Sequence, residues 1–303
     1  SPSPGRGACD YCPAGSFQSS PASISCQGCP AGSFCELGAS VPLLCAAGSY
    51  RSAANAMSQS DCAACPSGNE CATGSTAPTS CVPGTFAEAA GQRQCTNCPV
   101  GKFQTWPSRT NCISCAAGQY CLARSTAPLT CAPGSYSAIA EQGSCVSCLA
   151  GSYQSSSGAT ACIDCPAGSW CAAGASAPVA CGAGSYRSAV SATSVALCLG
   201  CPAGSACVTG AMVPVQCSAG SFSAAGSGAC VRCEAGTYQE LEGQTFCAIC
   251  PPGKFCPAGS ATPQYCEGGT FSGATGLVSS SQCHRVTGGF WAPTGSTLPE
   301  ECF

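Results

Sequence analysis

Charge is scarce in this chain of 303 residues: charged side chains make up 8% of it, ten basic against thirteen acidic, and the lysines are Lys102 and Lys254 alone. No basic stripe exists, so neither nucleic acid nor an anionic membrane surface is an expected partner. Histidine occurs once, at His284, so a nucleophile–histidine pair would rest on a single residue. Asp10, Asp61, Asp164 and the scattered glutamates form no paired carboxylate motif. An enzyme is therefore not expected, and no cofactor is implied. Large apolar side chains are also few: Leu, Ile, Val and Phe together number 39. That is well under the ~20% below which a chain rarely builds a hydrophobic core. A TIM barrel, a doubly wound sheet and a large helical bundle are excluded. No apolar run approaches the ~18 residues that span a bilayer. Ser1 to Gly7 lack the regions of a signal peptide, and the four asparagines, Asn55, Asn69, Asn97 and Asn111, fail the Asn-x-Ser/Thr sequon.

What is abundant is cysteine, 34 of it, with 38 glycines and 23 prolines. Such density belongs to an oxidising compartment and reads as a mature or excised secreted chain. Ten Cys-x2-Cys pairs begin at Cys9, Cys26, Cys62, Cys95, Cys112, Cys145, Cys162, Cys198, Cys230 and Cys247. A short unit is one pair followed by a gap of thirteen residues, and a long unit is Cys-x2-Cys-x5-Cys-x9-Cys. Their order is short-long-long-short-long, repeated once, so Cys9 to Cys131 maps onto Cys145 to Cys266. The chain therefore reads as a Ser/Pro segment 1–8, a first block 9–144, a duplicated block 145–283, and a tail 284–303 outside the repeat.

Two further patterns accompany the cysteines. Glycine stands three residues after the second cysteine of each pair and after the last cysteine of each long unit, from Gly15 to Gly269. With proline often just before it, this predicts a tight turn in which glycine takes a positive φ. An aromatic follows two residues later in fourteen of sixteen cases, with Glu70 and Ala206 the exceptions at matching places. Each ring is expected to lie on a neighbouring disulfide, with short strands around it and almost no helix. Proline also stands three residues before the last cysteine of every long unit: Pro42, Pro78, Pro128, Pro178, Pro214 and Pro263. These small, polar, extended loops are either simply stiffened by proline or, with Pro2 and Pro4, carry hydroxylated and glycosylated proline.

Equivalent segments should close equivalently, and this narrows the pairing. The recurring Cys-x2-Gly-x-aromatic segment closes as Cys12–Cys26, Cys45–Cys62, Cys81–Cys95, Cys98–Cys112, Cys131–Cys145, Cys148–Cys162, Cys181–Cys198, Cys217–Cys230, Cys233–Cys247 and Cys266–Cys283. The rest of each long unit closes as Cys29–Cys35, Cys65–Cys71, Cys115–Cys121, Cys165–Cys171, Cys201–Cys207 and Cys250–Cys256. A crossed variant, Cys29 to Cys45 with Cys35 to Cys62, keeps the count and ranks second. A bridge inside each Cys-x2-Cys suits redox sites rather than a structural chain. Zinc held by two such pairs is disfavoured, because the cysteines outside the pairs recur just as regularly. Cys9 and Cys302 are left over, as candidates for an intermolecular bridge. Local staples imply a rod of short β-hairpins and turns, with a radius of gyration above the ~19 Å of a compact chain this long.

The text Cys-Pro-Ala-Gly-Ser-Phe/Trp-Cys with Cys-x2-Cys flanks, at Cys29–Cys35 and Cys165–Cys171, resembles the ephrin-receptor-like cysteine-rich repeat of large algal and protist surface proteins. It is more distantly similar to TNF-receptor and EGF-like modules. The resemblance covers Cys9 to Cys283 and implies stalks or adhesive and fibrous extracellular parts, with no shared ligand. The alanine and glycine bias and the opening Ser1-Pro2-Ser3-Pro4 resemble hydroxyproline-rich glycoproteins of green algae, which implies a flagellar hair or cell-wall fibre. Two readings stay open: a structural protomer that associates with itself or with other fibre proteins, and a receptor-type ectodomain that binds a protein or glycan. Regular units and scarce charge favour the first.

Overall fold

The computed structural model describes residues 11–21 and 23–302. The segment 1–8, with Pro2 and Pro4, and Cys9 lie outside the described residues. The chain divides into two compact regions, Ser1–Val146 with Ser156–Ala161, and Ser147–Ser155 with Cys162–Phe303. Both are built from one element, a hairpin of two-residue strands that pairs each strand with the next in sequence. Ser33–Phe34, for example, runs antiparallel to Leu43–Leu44, with Phe34 opposite Leu43. No α-helix occurs among the described residues.

The local sequence explains each hairpin. In Pro13-Ala14-Gly15-Ser16 the Ser16 N–H donates to the Pro13 carbonyl at 3.1 Å while Gly15 holds φ 87°. That is a type II turn, whose third residue must have positive φ. The Ser16 hydroxyl donates to the same carbonyl at 2.7 Å, and Ser33, Ser49, Thr85 and Ser135 repeat the bond. Three segments, Cys45–Cys62, Cys181–Cys198 and Cys266–Cys283, have a separation of 17 where the others have 13 or 14. The extra residues form single 3-10 turns at Gln59–Asp61, Val195–Leu197 and Ser280–Gln282. Three residues are one turn of such a helix.

The core is a series of small clusters. Phe34 packs on Cys45, Cys62 and Ala56; Tyr186 on Cys201, Cys207 and Ala211; Phe255 on Cys266, Cys283 and Leu277. In each case the ring lies on the next disulfide along the chain. Most rings are half-buried, so each contributes about half of the ~1.5–3 kcal/mol that a fully buried large side chain would. Covalent closure supplies the rest: a loop of ~15 residues is worth about 3 kcal/mol through the unfolded chain.

The segment 284–303, expected outside the repeat, carries it on instead. Phe290–Trp291 pairs antiparallel with Glu300–Glu301, behind Gly289 at φ 88°. The Val286 N–H donates to the Gly269 carbonyl at 3.1 Å and the Cys302 N–H to the Gly289 carbonyl at 2.9 Å. Elsewhere the second and last cysteines of a long unit make these bonds, as Cys29 does to Gly15 and Cys45 to Gly32. Counted from Cys283, the residues Val286, Ala292 and Cys302 hold the other three cysteine positions of a long unit, and Pro299 holds the proline position. Ala292 is buried like the cysteine it replaces. The cysteine pattern stops at Cys283 because Val286 and Ala292 stand where the short bridge would be.

Candidate functional site

Repetition makes the candidate site a lattice of sulfur and backbone bonds rather than one pocket. The structure joins Cys12–Cys26, Cys45–Cys62, Cys81–Cys95, Cys98–Cys112, Cys131–Cys145, Cys148–Cys162, Cys181–Cys198, Cys217–Cys230, Cys233–Cys247 and Cys266–Cys283. It also joins Cys29–Cys35, Cys65–Cys71, Cys115–Cys121, Cys165–Cys171, Cys201–Cys207 and Cys250–Cys256. Their Cα atoms stand 5.5–6.2 Å apart, within the range that a disulfide spans. Cys302 is a free, exposed thiol.

Three backbone bonds recur beside the sulfur. The turn glycine donates forward: Gly32 N–H to Arg51, Gly48 to Cys71, Gly184 to Cys207, at 2.8–2.9 Å. Its own carbonyl accepts from the cysteine that closes the hairpin, as Gly184 does from Cys201 at 2.8 Å. The carbonyl of the preceding cysteine accepts from a residue further on: Cys29 from Asn55, Cys45 from Gly74, Cys98 from Arg124, Cys201 from Gly226. That donor always has positive φ. Asn55, Ser108, Arg124, Glu141 and Ser191, the non-glycine residues with positive φ, all stand at this position.

The two left-handed positions face each other. A Cβ on Gly48 would meet the carbonyl oxygen of Gly91, one on Gly84 that of Arg124, and one on Gly184 that of Gly226. The turn glycine is therefore required twice, for its φ and for the carbonyl packed against its bare Cα. The signal for the second position was weaker, because five units place a residue other than glycine there.

A second missed set replaces sulfur with hydrogen bonds. The short units carry Gln18, Gln104, Gln154 and Gln239 six residues after a cysteine, where long units carry their third cysteine. Gln104 is buried; its Nε2 donates to the Asn111 carbonyl at 2.7 Å and its Oε1 accepts from the Trp106 N–H at 3.1 Å. Gln239 does the same with Phe246 at 2.9 Å and Leu241 at 3.0 Å. The constant spacing of four glutamines was the available signal.

Pro42, Pro78, Pro128, Pro178, Pro214 and Pro263 are half-buried, each followed by an exposed residue such as Leu43 or Thr79. His284 lies in a strand, its ring 6.0 Å from that of Phe271. The Met57 and Ser58 N–H groups donate to Asp61 at 2.7 and 3.1 Å and hold its carboxyl below the usual aspartate range. The Ser114 hydroxyl, then Lys102 at 3.5 Å, lower Glu141.

The model of the tyrosine-protein kinase ephrin type A/B receptor-like family matches residues 134–176 and 220–265. Both matches begin on a turn glycine and run through the cysteine spacing described above. These two stretches are ephrin-receptor-like cysteine-rich repeats. No curated protein matches it. Ephrin-receptor-like repeats are a non-catalytic domain type, and with this disulfide content they mark an extracellular or secreted protein. No helix among the described residues is long and apolar enough to cross a membrane.

Proposed function

We propose that this ephrin-receptor-like array is a non-enzymatic structural protein of the cell exterior, a disulfide-stapled rod that serves as protomer of a filament such as a flagellar hair or cell-wall fibre. One observation carries the reading: the same three backbone bonds and the same bridges recur from hairpin to hairpin, so mechanical continuity is the property built into every unit. Quasi-one-dimensional repeats transmit load between neighbours alone. Assembly is proposed to be head to tail through Cys302 and Cys9. Cys302 has the register of Cys45 and Cys181, which bond to the first cysteine of the next Cys-x2-Cys pair, and Cys9 opens such a pair. Heterologous contacts that do not close generate filaments. Glycans on Pro2, Pro4, Pro42, Pro78, Pro128, Pro178, Pro214 and Pro263 would sheathe the fibre.

Electron microscopy of native material tests the proposal, with filaments expected and dispersed particles refuting it. Non-reducing electrophoresis tests the bridge: a ladder that collapses with thiol supports it, and a monomer band alone removes it. Unmodified peptides over Pro78 and Pro128 would dismiss the glycans.

A further inference from the structure

Two matching cavities break the uniformity of the array, one in each compact region. The first, about 310 Å³, is lined by Glu70, Ser80, Thr85, Asn97 and Arg124 among others. The second, about 410 Å³, is lined by Ser218, Ser221, Arg232 and Gly259 among others. They occupy the same place in the duplication. Cys81 and Cys217 begin equivalent segments, so Thr85 corresponds to Ser221 and Asn97 to Arg232. Thr85 pairs across the hairpin with Asn97, and Ser221 with Arg232. Arg124 and Gly259 correspond because they donate to the equivalent carbonyls of Cys98 and Cys233. Each cavity also follows the one hairpin of its block whose aromatic is replaced, by Glu70 or by Ala206.

The arginines are the telling feature. Both cavities hold one, but from different positions: Arg124 from the left-handed residue, Arg232 from the second strand. Where one block places its arginine, the other has Gly259 or Asn97. Arg124 keeps φ 63° at a position that most units give to glycine. Strain of this kind gathers at functional sites. Neither guanidinium forms an ion pair among the described residues, where the one salt bridge is Lys102–Glu141. In a chain with ten basic residues, a matched cation in two matched polar cavities calls for an anionic ligand. The volumes lie at the small end of the ~300–1,000 Å³ of ligand sites. Around each arginine stand hydroxyls, joined in the first cavity by the Asn97 amide and the Glu70 carboxylate, which is anchored on the Cys95 N–H at 2.7 Å.

We propose that each cavity binds one acidic sugar residue, its carboxylate or sulfate on the arginine and its hydroxyls on the surrounding polar side chains. The array would then hold an acidic polysaccharide at two equivalent points. This goes beyond the scaffold role, which survives if it fails.

The test uses the intact, oxidised chain and two variants that exchange residues between the blocks, Arg124→Gly and Arg232→Asn. Each introduces the residue that the other block already carries, so the fold has a precedent for both. Calorimetric titration at about 0.15 M salt, where diffuse attraction is screened, would use an oligogalacturonate, a sulfated oligosaccharide and a neutral oligogalactose. Two sites per chain are expected for an acidic probe, one in either single variant, and at least tenfold weaker binding in the double variant. The two acidic probes separate carboxylate from sulfate. Binding unchanged in the double variant, equal binding of the neutral sugar, or no binding of either acidic probe would overturn the proposal.

Discussion

Gly184 and Gly226 separate two costs that usually travel together. Both have positive φ, 83° and 73°. A Cβ on Gly226 meets nothing within 4 Å, so Gly226→Ala carries the left-handed penalty alone, about 1–2 kcal/mol. A Cβ on Gly184 would run into the Gly226 carbonyl. Moving that turn loosens the Gly184 N–H bond to Cys207 and the Gly226 N–H bond to Cys201, both 2.8 Å. A buried backbone group left unpaired costs about 1–3 kcal/mol. With two such bonds loosened, Gly184→Ala should cost about 3 kcal/mol or more, at least about 2 more than Gly226→Ala. A repeat chain need not unfold in one step, so the assay is native-state hydrogen exchange followed by mass spectrometry, with disulfides intact. The amides at positions 184 and 226, the donors of those two bonds, should exchange faster in Gly184→Ala by thirtyfold or more relative to Gly226→Ala. Peptides around Cys45–Cys62 should not change, because each hairpin touches only near neighbours. Equal effects of the two substitutions, or a change spread over the whole chain, would refute the close-approach argument.

Three further outcomes are expected. The pair Val286→Cys with Ala292→Cys should form a bridge equivalent to Cys250–Cys256, visible in peptide maps and worth about 2 kcal/mol locally; free thiols at both positions would contradict the register assigned to the last unit. Ser191→Gly removes a left-handed side chain at φ 58° and should slow local exchange by an amount equal to about 0.5–1 kcal/mol, since relief of strain exceeds the added chain entropy; faster exchange around Cys165 would count against it. Asp61 should titrate below its ordinary value of 3.8, because N–H donors favour the carboxylate. With the folded pKa depressed, its contribution is complete above the unfolded pKa and fades as pH falls through the folded one. Carboxyl NMR would show this, and a midpoint at or above 3.8 would exclude the cap.

Cysteine spacing, turn glycines and their aromatics could be read directly, because each is a local pattern whose chemistry needs no knowledge of distant chain. Internal homology paired Cys29 with Cys35 and Cys45 with Cys62 for the same reason, and those sulfurs are joined in the structure. The glutamine clamps were equally local, yet glutamine has many uses and four copies did not stand out against 34 cysteines. The terminal unit was hidden by Val286 and Ala292, since packing accepts apolar groups where a search for sulfur does not.

Amino-acid order alone determined that this chain would be held by short covalent loops on a duplicated repeat, because loop closure depends only on which residues recur at which separation. Tertiary structure decided what those loops bring together. The Gly226 carbonyl against Gly184, and arginines from two different positions in equivalent cavities, depend on how hairpins stack within each region. Stacking is set by contacts across some forty residues, in which Arg124 and Gly259 can play the same backbone part, and no spacing rule distinguishes them.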